Sequence, residues 1–281
     1  MRRFFNIIFA LCLLFVLSSL SLGQQTATKT QPSSTRPSPA EIEKIVRSFT
    51  TKETEFRRAL NDYAFRRDAT IQTIGMGGQI TGEYHRVSSF VFDDNSNRFE
   101  KILFFPMATI TEVQITTEDI EDLGGVNAFA LEASKINQYT FNYVGREKID
   151  EIGTYVFDVV PKVDLKAKKV SERYFMGRIW VDDLDLQIVK AKGKGVPEGK
   201  QRFPTFETYR ENVDGKYWFP AYVYADDNLV FDNGAVIHLR MIIKYTDYKR
   251  ARAEVKVVEG DVEDESQPKP KPTPSPTPKK P

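Results

Sequence analysis

The sequence predicts a mainly β fold of the α+β type, a large curved antiparallel sheet covered by an N-terminal helix and an inserted one. Three observations lead there. Apolar residues recur with a period of two over about ten short runs, most of these runs are separated by turns of hairpin length rich in Asp, Asn and Gly, and helical periodicity is confined to residues 39–63 and a stretch near residue 117. Strands joined by such turns pair antiparallel, whereas βαβ units need longer crossovers.

Residues 1–23 carry a basic start at Arg2 and Arg3, an apolar run and the small residues Ser21 and Gly23, which reads as a secretory signal peptide cleaved before Gln24. The rival reading is an uncleaved helix anchored in the inner membrane, since the run is nearly long enough to span a bilayer. Cys12, the one cysteine, lies inside that run. The mature chain is therefore expected to hold no disulfide, thiolate ligand or cysteine nucleophile. Residues 24–37 are rich in Ser, Thr and Pro and too poor in apolar groups to fold, so they read as a disordered linker. At the other end, residues 259–265 carry five acidic side chains, and Pro then alternates with Lys, Thr and Ser to residue 281. That composition favours a disordered, extended tail.

One folded domain, residues 38–258, lies between. Ser38 can cap a helix with Pro39 at its first position and Glu41 at its third. Ile42, Ile45, Val46 and Phe49, then Phe56, Leu60 and Tyr63, follow at helical spacing, giving one or two amphipathic helices that end near Asn61 and Asp62. Strand periodicity begins around Ala69, Ile71 and Thr73. It resumes at 80–92, 99–105, 139–145, 154–160, 173–181, 186–194, 206–212, 217–224 and 235–248. The segment T-T-E-D-I-E-D-L at 116–123, with a capping residue and an acidic first turn, predicts the inserted helix over 117–123.

Several strands are apolar on both faces. Tyr174, Met176, Arg178 and Trp180 alternate with Phe175, Gly177, Ile179 and Val181, so neither side is simply wet. Tyr139, Phe141 and Tyr143 share one face, as do Tyr155, Phe157 and Val159 on the following strand, where cross-strand aromatic pairs would hold the hairpin. A sheet of about ten strands curls because it twists, and its apolar inner side must then be covered. It is filled either by its own side chains or by a ligand. The residues picked to line a hollow are Phe90, Phe92, Phe104, Phe141, Tyr143, Phe157, Phe175, Ile179 and Trp180. A slip of one residue in register would invert that set.

The order of segments, an N-terminal helix, then Y-T-F-N-Y-V-G-R-E-K-I-D-E-I-G-T-Y-V-F-D-V-V-P-K, G-R-I-W-V-D-D-L-D-L-Q-I-V-K-A and V-D-G-K-Y-W-F-P, resembles the outer-membrane lipoprotein-sorting proteins of the LolA/LolB-like superfamily. The likeness covers roughly residues 42–248. It implies an unclosed β-barrel capped by helices, whose cavity holds acyl chains of lipoproteins or other lipids in the periplasm; the further expectation is a monomer with inner- and outer-membrane envelope proteins as partners. The sequence departs from the pattern in two ways. It has no lipidation cysteine at the mature N-terminus, and its Pro/Lys tail is not a standard part of the carriers. No residue role in cavity opening is carried over.

Chemistry of other kinds has little to stand on. Removing Arg2 and Arg3, the only charges of the signal, leaves 38 of 40 basic residues against 39 acidic ones, which argues against a nucleic-acid surface. The pairs Arg57-Arg58 and Arg66-Arg67 read as solvated faces. His85 and His238 stand singly in strands, short of the three or four ligands a zinc site wants. The Asp pairs at 93–94, 182–183 and 226–227 fall at predicted turns, where carboxylates bond local amides, and none follows the calcium-loop pattern. Gly75 to Gly78 lacks the Lys-Ser/Thr of a phosphate loop. The expectation is a non-catalytic protein with no cofactor and no metal. Two functions compete: a carrier or chaperone, which should hold an apolar cavity of several hundred Å3, and an envelope interaction module with a filled core.

Overall fold

The computed structural model describes residues 36–115, 119, 131–165, 173–198 and 202–251. The segments read as signal peptide and C-terminal tail, and nearly all of the expected linker, lie outside these residues, as does the expected inserted helix apart from Asp119.

The chain enters through α1 (Pro39–Leu60), whose start is the predicted capping box. The Ser38 amide donates to the Glu41 carboxylate at 2.7 Å and the Glu41 amide donates to the Ser38 hydroxyl at 3.3 Å. Ile45, Phe49, Glu53, Phe56 and Leu60, spaced three to four apart, form its buried stripe. One helix stands here rather than two, and Tyr63, which helical spacing would have added to it, opens the first strand.

Ten strands follow: β1 (Tyr63–Ile74), β2 (Ile80–Phe92), β3 (Arg98–Phe104), β4 (Tyr139–Ile149), β5 (Ile152–Pro161), β6 (Tyr174–Asp182), β7 (Ile188–Val196), β8 (Phe206–Val213), β9 (Tyr217–Val230) and β10 (Val236–Arg250). They form one sheet in the order β3-β2-β1-β10-β9-β8-β7-β6-β5-β4, and every neighbouring pair is antiparallel. Hairpins build each half, and the pairing of β1 with β10, Ile71 opposite Met241, joins the halves. β3 and β4 remain as unpaired edges, so the barrel is unclosed.

Alternation sends one set of side chains to an inner face. Phe65, Ala69 and Ile71 of β1, Met241 and Ile243 of β10, Phe219 and Val223 of β9, Phe175 and Ile179 of β6 and Phe157 of β5 join the α1 stripe in one core. A much smaller cluster, Val156, Trp180 and Val189, lies on the outer face. Among the described residues no helix is long and apolar enough to cross a membrane.

Candidate functional site

The inner face has two ends. At the first, α1 lies over β4 to β9. Phe49 meets the edge of Phe141 with ring centres 5.4 Å apart and the tilted ring of Phe157 at 5.7 Å, while Phe56 packs on Phe219 at 5.7 Å. Among the described residues one buried ion pair crosses this apolar seam. Glu53, 1% exposed, receives both Arg210 Nη groups, the Nη2 bond measuring 3.0 Å. The same guanidinium lies 4.6 Å from the centre of the Phe56 ring. Tyr63, at the hinge between α1 and β1, donates to Asp214 Oδ2 at 2.6 Å; burial, then that bond, pushes its hydroxyl up to about 12.

On the inner face of β6, β7 and β8 a void of about 20 Å3 remains, walled by Leu131, Phe175, Ile179, Ile188, Ala191, Phe206, Thr208 and Arg210. It has room for about one water. Among the described residues Thr208 Oγ1 on its wall is buried without a hydrogen-bond partner. This void is far smaller than the cavity of several hundred Å3 expected of a carrier.

The structure divides the nine residues picked to line the hollow. Phe141, Tyr143, Phe157, Phe175 and Ile179 all lie in or against the inner core, around Phe49 and the void. Phe90 is on the same face at the far end, stacked 4.5 Å from Phe65, and Phe92 follows two residues along the strand. Phe104 lies beside His85, ring centres 5.1 Å apart, and is 49% exposed. Trp180 points to the outer face: its Nε1 donates to Glu147 at 2.7 Å and Lys190 Nζ sits 4.8 Å from its ring centre. Ile179 and Trp180 therefore belong to opposite faces and cannot line one hollow together.

At the second end, under β1, β2 and β3, the inner face carries charge. Arg67 is 3% exposed and shares Glu100 with Arg86. Reading Arg66-Arg67 as one solvated face holds for Arg66 alone, because alternation turns Arg67 inward between Phe65 and Ala69. Glu53 and Arg67 were both missed as interior groups. The available signal was position, since Glu53 falls four residues after Phe49 on the helix stripe and Arg67 falls on the apolar register of β1.

Elsewhere the polar groups have local explanations. His85 Nε2 pairs with Asp68 Oδ1 at 2.9 Å and His238 pairs with Asp226, each across neighbouring strands. Asp93 accepts the amides of Asn95 and Asn97 at 2.9 and 2.7 Å, and Asp182 accepts that of Leu184 at 2.8 Å. The amide of Asn97 lowers the Asp93 pKa, whereas burial raises that of Asp182. Among the described residues no group of three or more His, Cys, Asp or Glu is placed to hold a metal.

No protein-family model matches the chain, and no curated protein matches it. Solved structures do. A DUF1329 family protein from Desulfovibrio piger is 13% identical and aligns over 75% of this chain and 93% of its own, with a TM-score of 0.36. A LolA superfamily protein from Nitrosomonas europaea is 14% identical over 71% of this chain and 93% of its own, TM-score 0.31. A domain assigned to outer membrane lipoprotein sorting from Vibrio parahaemolyticus is 10% identical over 73% and 93%, TM-score 0.30. No residue and no activity is carried from these overlays to this chain.

Proposed function

We infer that this chain is a non-catalytic periplasmic carrier or chaperone that takes up acyl chains of lipoproteins or other lipids on the inner face of its sheet, with α1 as a displaceable cover. The observation that carries this reading is the chemistry of the α1 seam. A permanent core would gain by replacing a buried ion pair with well-packed hydrophobic groups, since desolvating both charges offsets much of their attraction. Here Glu53 and Arg210 stand in the middle of the apolar seam, next to an unpartnered Thr208 hydroxyl and a void. Such a seam is costly to bury and correspondingly cheap to open. With α1 withdrawn, Phe157, Phe175 and Ile179 would face the ligand, and each acyl methylene buried there contributes about 0.8 kcal/mol. Loading then depends on partners in the two membranes or on the relative affinities of donor and acceptor.

The second reading, an envelope interaction module with a filled core, is favoured by the small size of the void. One experiment separates the two: native mass spectrometry of residues 24–281 purified from a periplasm, with organic extraction of whatever travels along. A co-purifying phospholipid, fatty acid or acylated peptide supports the carrier and names its cargo class. A clean apo mass, together with no uptake of a fluorescent acyl probe, replaces it with the filled module.

A further inference from the structure

The second end of the inner face holds more positive charge than it neutralises. Arg86 donates to Glu100 twice, Nε to Oε1 at 3.1 Å and Nη2 to Oε2 at 2.7 Å, and its Nε also reaches Ser88 Oγ at 3.4 Å. Arg67 donates to the same Glu100 Oε1 from Nη2 at 3.2 Å. Among the described residues that is the one hydrogen bond of the Arg67 guanidinium, which has five N–H donors and lies in a residue 3% exposed. A buried charge is normally paired and its donors satisfied, because water is not there to do it. Two guanidinium groups on one carboxylate leave a net charge of +1 and several unused donors. The remaining contacts of the pair are aromatic: Arg67 lies 4.9 Å from the Phe90 ring centre and Arg86 lies 5.4 Å from that of Phe105.

The surroundings supply the other half of a site. β3 is an edge strand, so among the described residues no further strand closes this end. Arg86 and Glu100 retain 14% and 20% of their side-chain exposure, which gives solvent a way in. Ile102, paired with Ser88, is 52% exposed and Phe105 is 46% exposed. An apolar rim next to one buried and one half-buried cation suits a ligand with an apolar chain and an anionic head. The guanidinium fork matches a carboxylate or phosphate in two parallel bonds.

We propose that Arg67 and Arg86 form the headgroup site for a monoanionic amphiphile, a carboxylate or phosphodiester lipid, with Ile102 and Phe105 against the start of its chain. This rests on the carrier reading and sharpens it, because it makes the cargo anionic. Glu100 holds the pair together while the site is empty and competes with the ligand when it fills. The two kinds of substitution therefore act in opposite directions. Arg86→Gln removes a ligand, whereas Glu100→Gln removes the competitor.

Calorimetric titration of the mature chain tests this with dodecanoate, the neutral 1-dodecanoylglycerol and inorganic phosphate, each below its aggregation limit. Dodecanoate is expected to bind about tenfold or more tighter than the glycerol ester, the scale of one charge-assisted hydrogen bond. In Arg86→Gln that preference should fall to about twofold or less, with the ester unaffected, and in Glu100→Gln it should widen. Equal affinities for both amphiphiles, or both variants shifting the preference the same way, overturn the headgroup site and leave the carrier standing. If neither amphiphile binds, the carrier falls and this proposal with it; phosphate uptake abolished by Arg86→Gln would then mark a free-anion site instead.

Discussion

The two ends of the inner face handle buried arginine differently. Under α1, Arg210 meets Glu53 one to one, with both Nη groups engaged. Under β1 to β3, Arg67 and Arg86 share Glu100. The balanced pair links two elements of secondary structure and is complete without a ligand. The unbalanced set lies within three consecutive strands of one sheet, fastens nothing that their ladder does not already hold, and remains short of negative charge. Count and connectivity thus separate a latch from a receptor on the same apolar surface.

The largest expected effect tests the latch. Glu53→Ala leaves Arg210 buried and unpaired and should cost about 3–5 kcal/mol in denaturant unfolding, whereas Glu53→Leu combined with Arg210→Met should be neutral or stabilising. Glu100→Ala also leaves Arg67 buried and unpaired, but it cuts no link between separate elements and Arg86 keeps access to water, so it should cost less. Equal losses at Glu53 and Glu100 would make both ends fasteners and erase the distinction. A smaller effect tests the floor beneath α1. Gly177 and Gly193 face each other on β6 and β7, and a Cβ on Gly177 would come within 2.2 Å of the Lys192 carbonyl oxygen and 2.5 Å of Gly193 Cα. Gly177→Ala should therefore spread two central strands and cost about 1–3 kcal/mol in the same assay. Gly82, at the other end, meets instead the Ile110 Cα and Thr73 Oγ1, at 2.8 and 2.9 Å, rather than the backbone of a neighbouring strand, so Gly82→Ala should cost less. The reverse order would place the rigid floor at the β1 to β3 end.

The strands were legible because period-two patterning and turn chemistry agree along most of the sheet. Asp214 and Gly215, for example, take φ of 53° and 65° at the β8–β9 turn, as a tight hairpin needs. The helix start was legible from three residues, Ser38, Pro39 and Glu41. Its end was not, since Tyr63 continues the helical spacing and only its pairing with Arg250 of β10 makes it a strand residue. The same limit applies to the site. Alternation divides a strand into two faces without saying which is inner, so Ile179 and Trp180 were chosen together although they point apart. Arg67 and Glu100 come together through the register of β1, β2 and β3, and no local pattern carries that register.

The smallest effect concerns a third set with the same two-to-one count, placed on the outer face behind the α1 end. Glu207 accepts from Lys192 at 2.6 Å and from Tyr209 at 2.8 Å, and Lys190 lies 3.2 Å away, between the rings of Trp180 and Tyr209. The Lys192 bond leads in holding the Glu207 carboxyl down to about 2, against an ordinary 4.5. A carboxyl depressed by folding stabilises the protein above its unfolded value, so this contribution is complete above pH 4.5 and is lost as pH falls towards 2. Lys192 is half exposed, however, so water and salt screen the set and its second cation needs no further anion. Unfolding midpoints measured from pH 6 down to about 2.5 should show wild type above Glu207→Gln at the start and the two converging at the acid end. Curves that stay parallel would remove Glu207 as the source. A gap unchanged by added salt would mean that the outer set behaves like the buried one, and burial would no longer explain why only Arg67 and Arg86 call for a ligand.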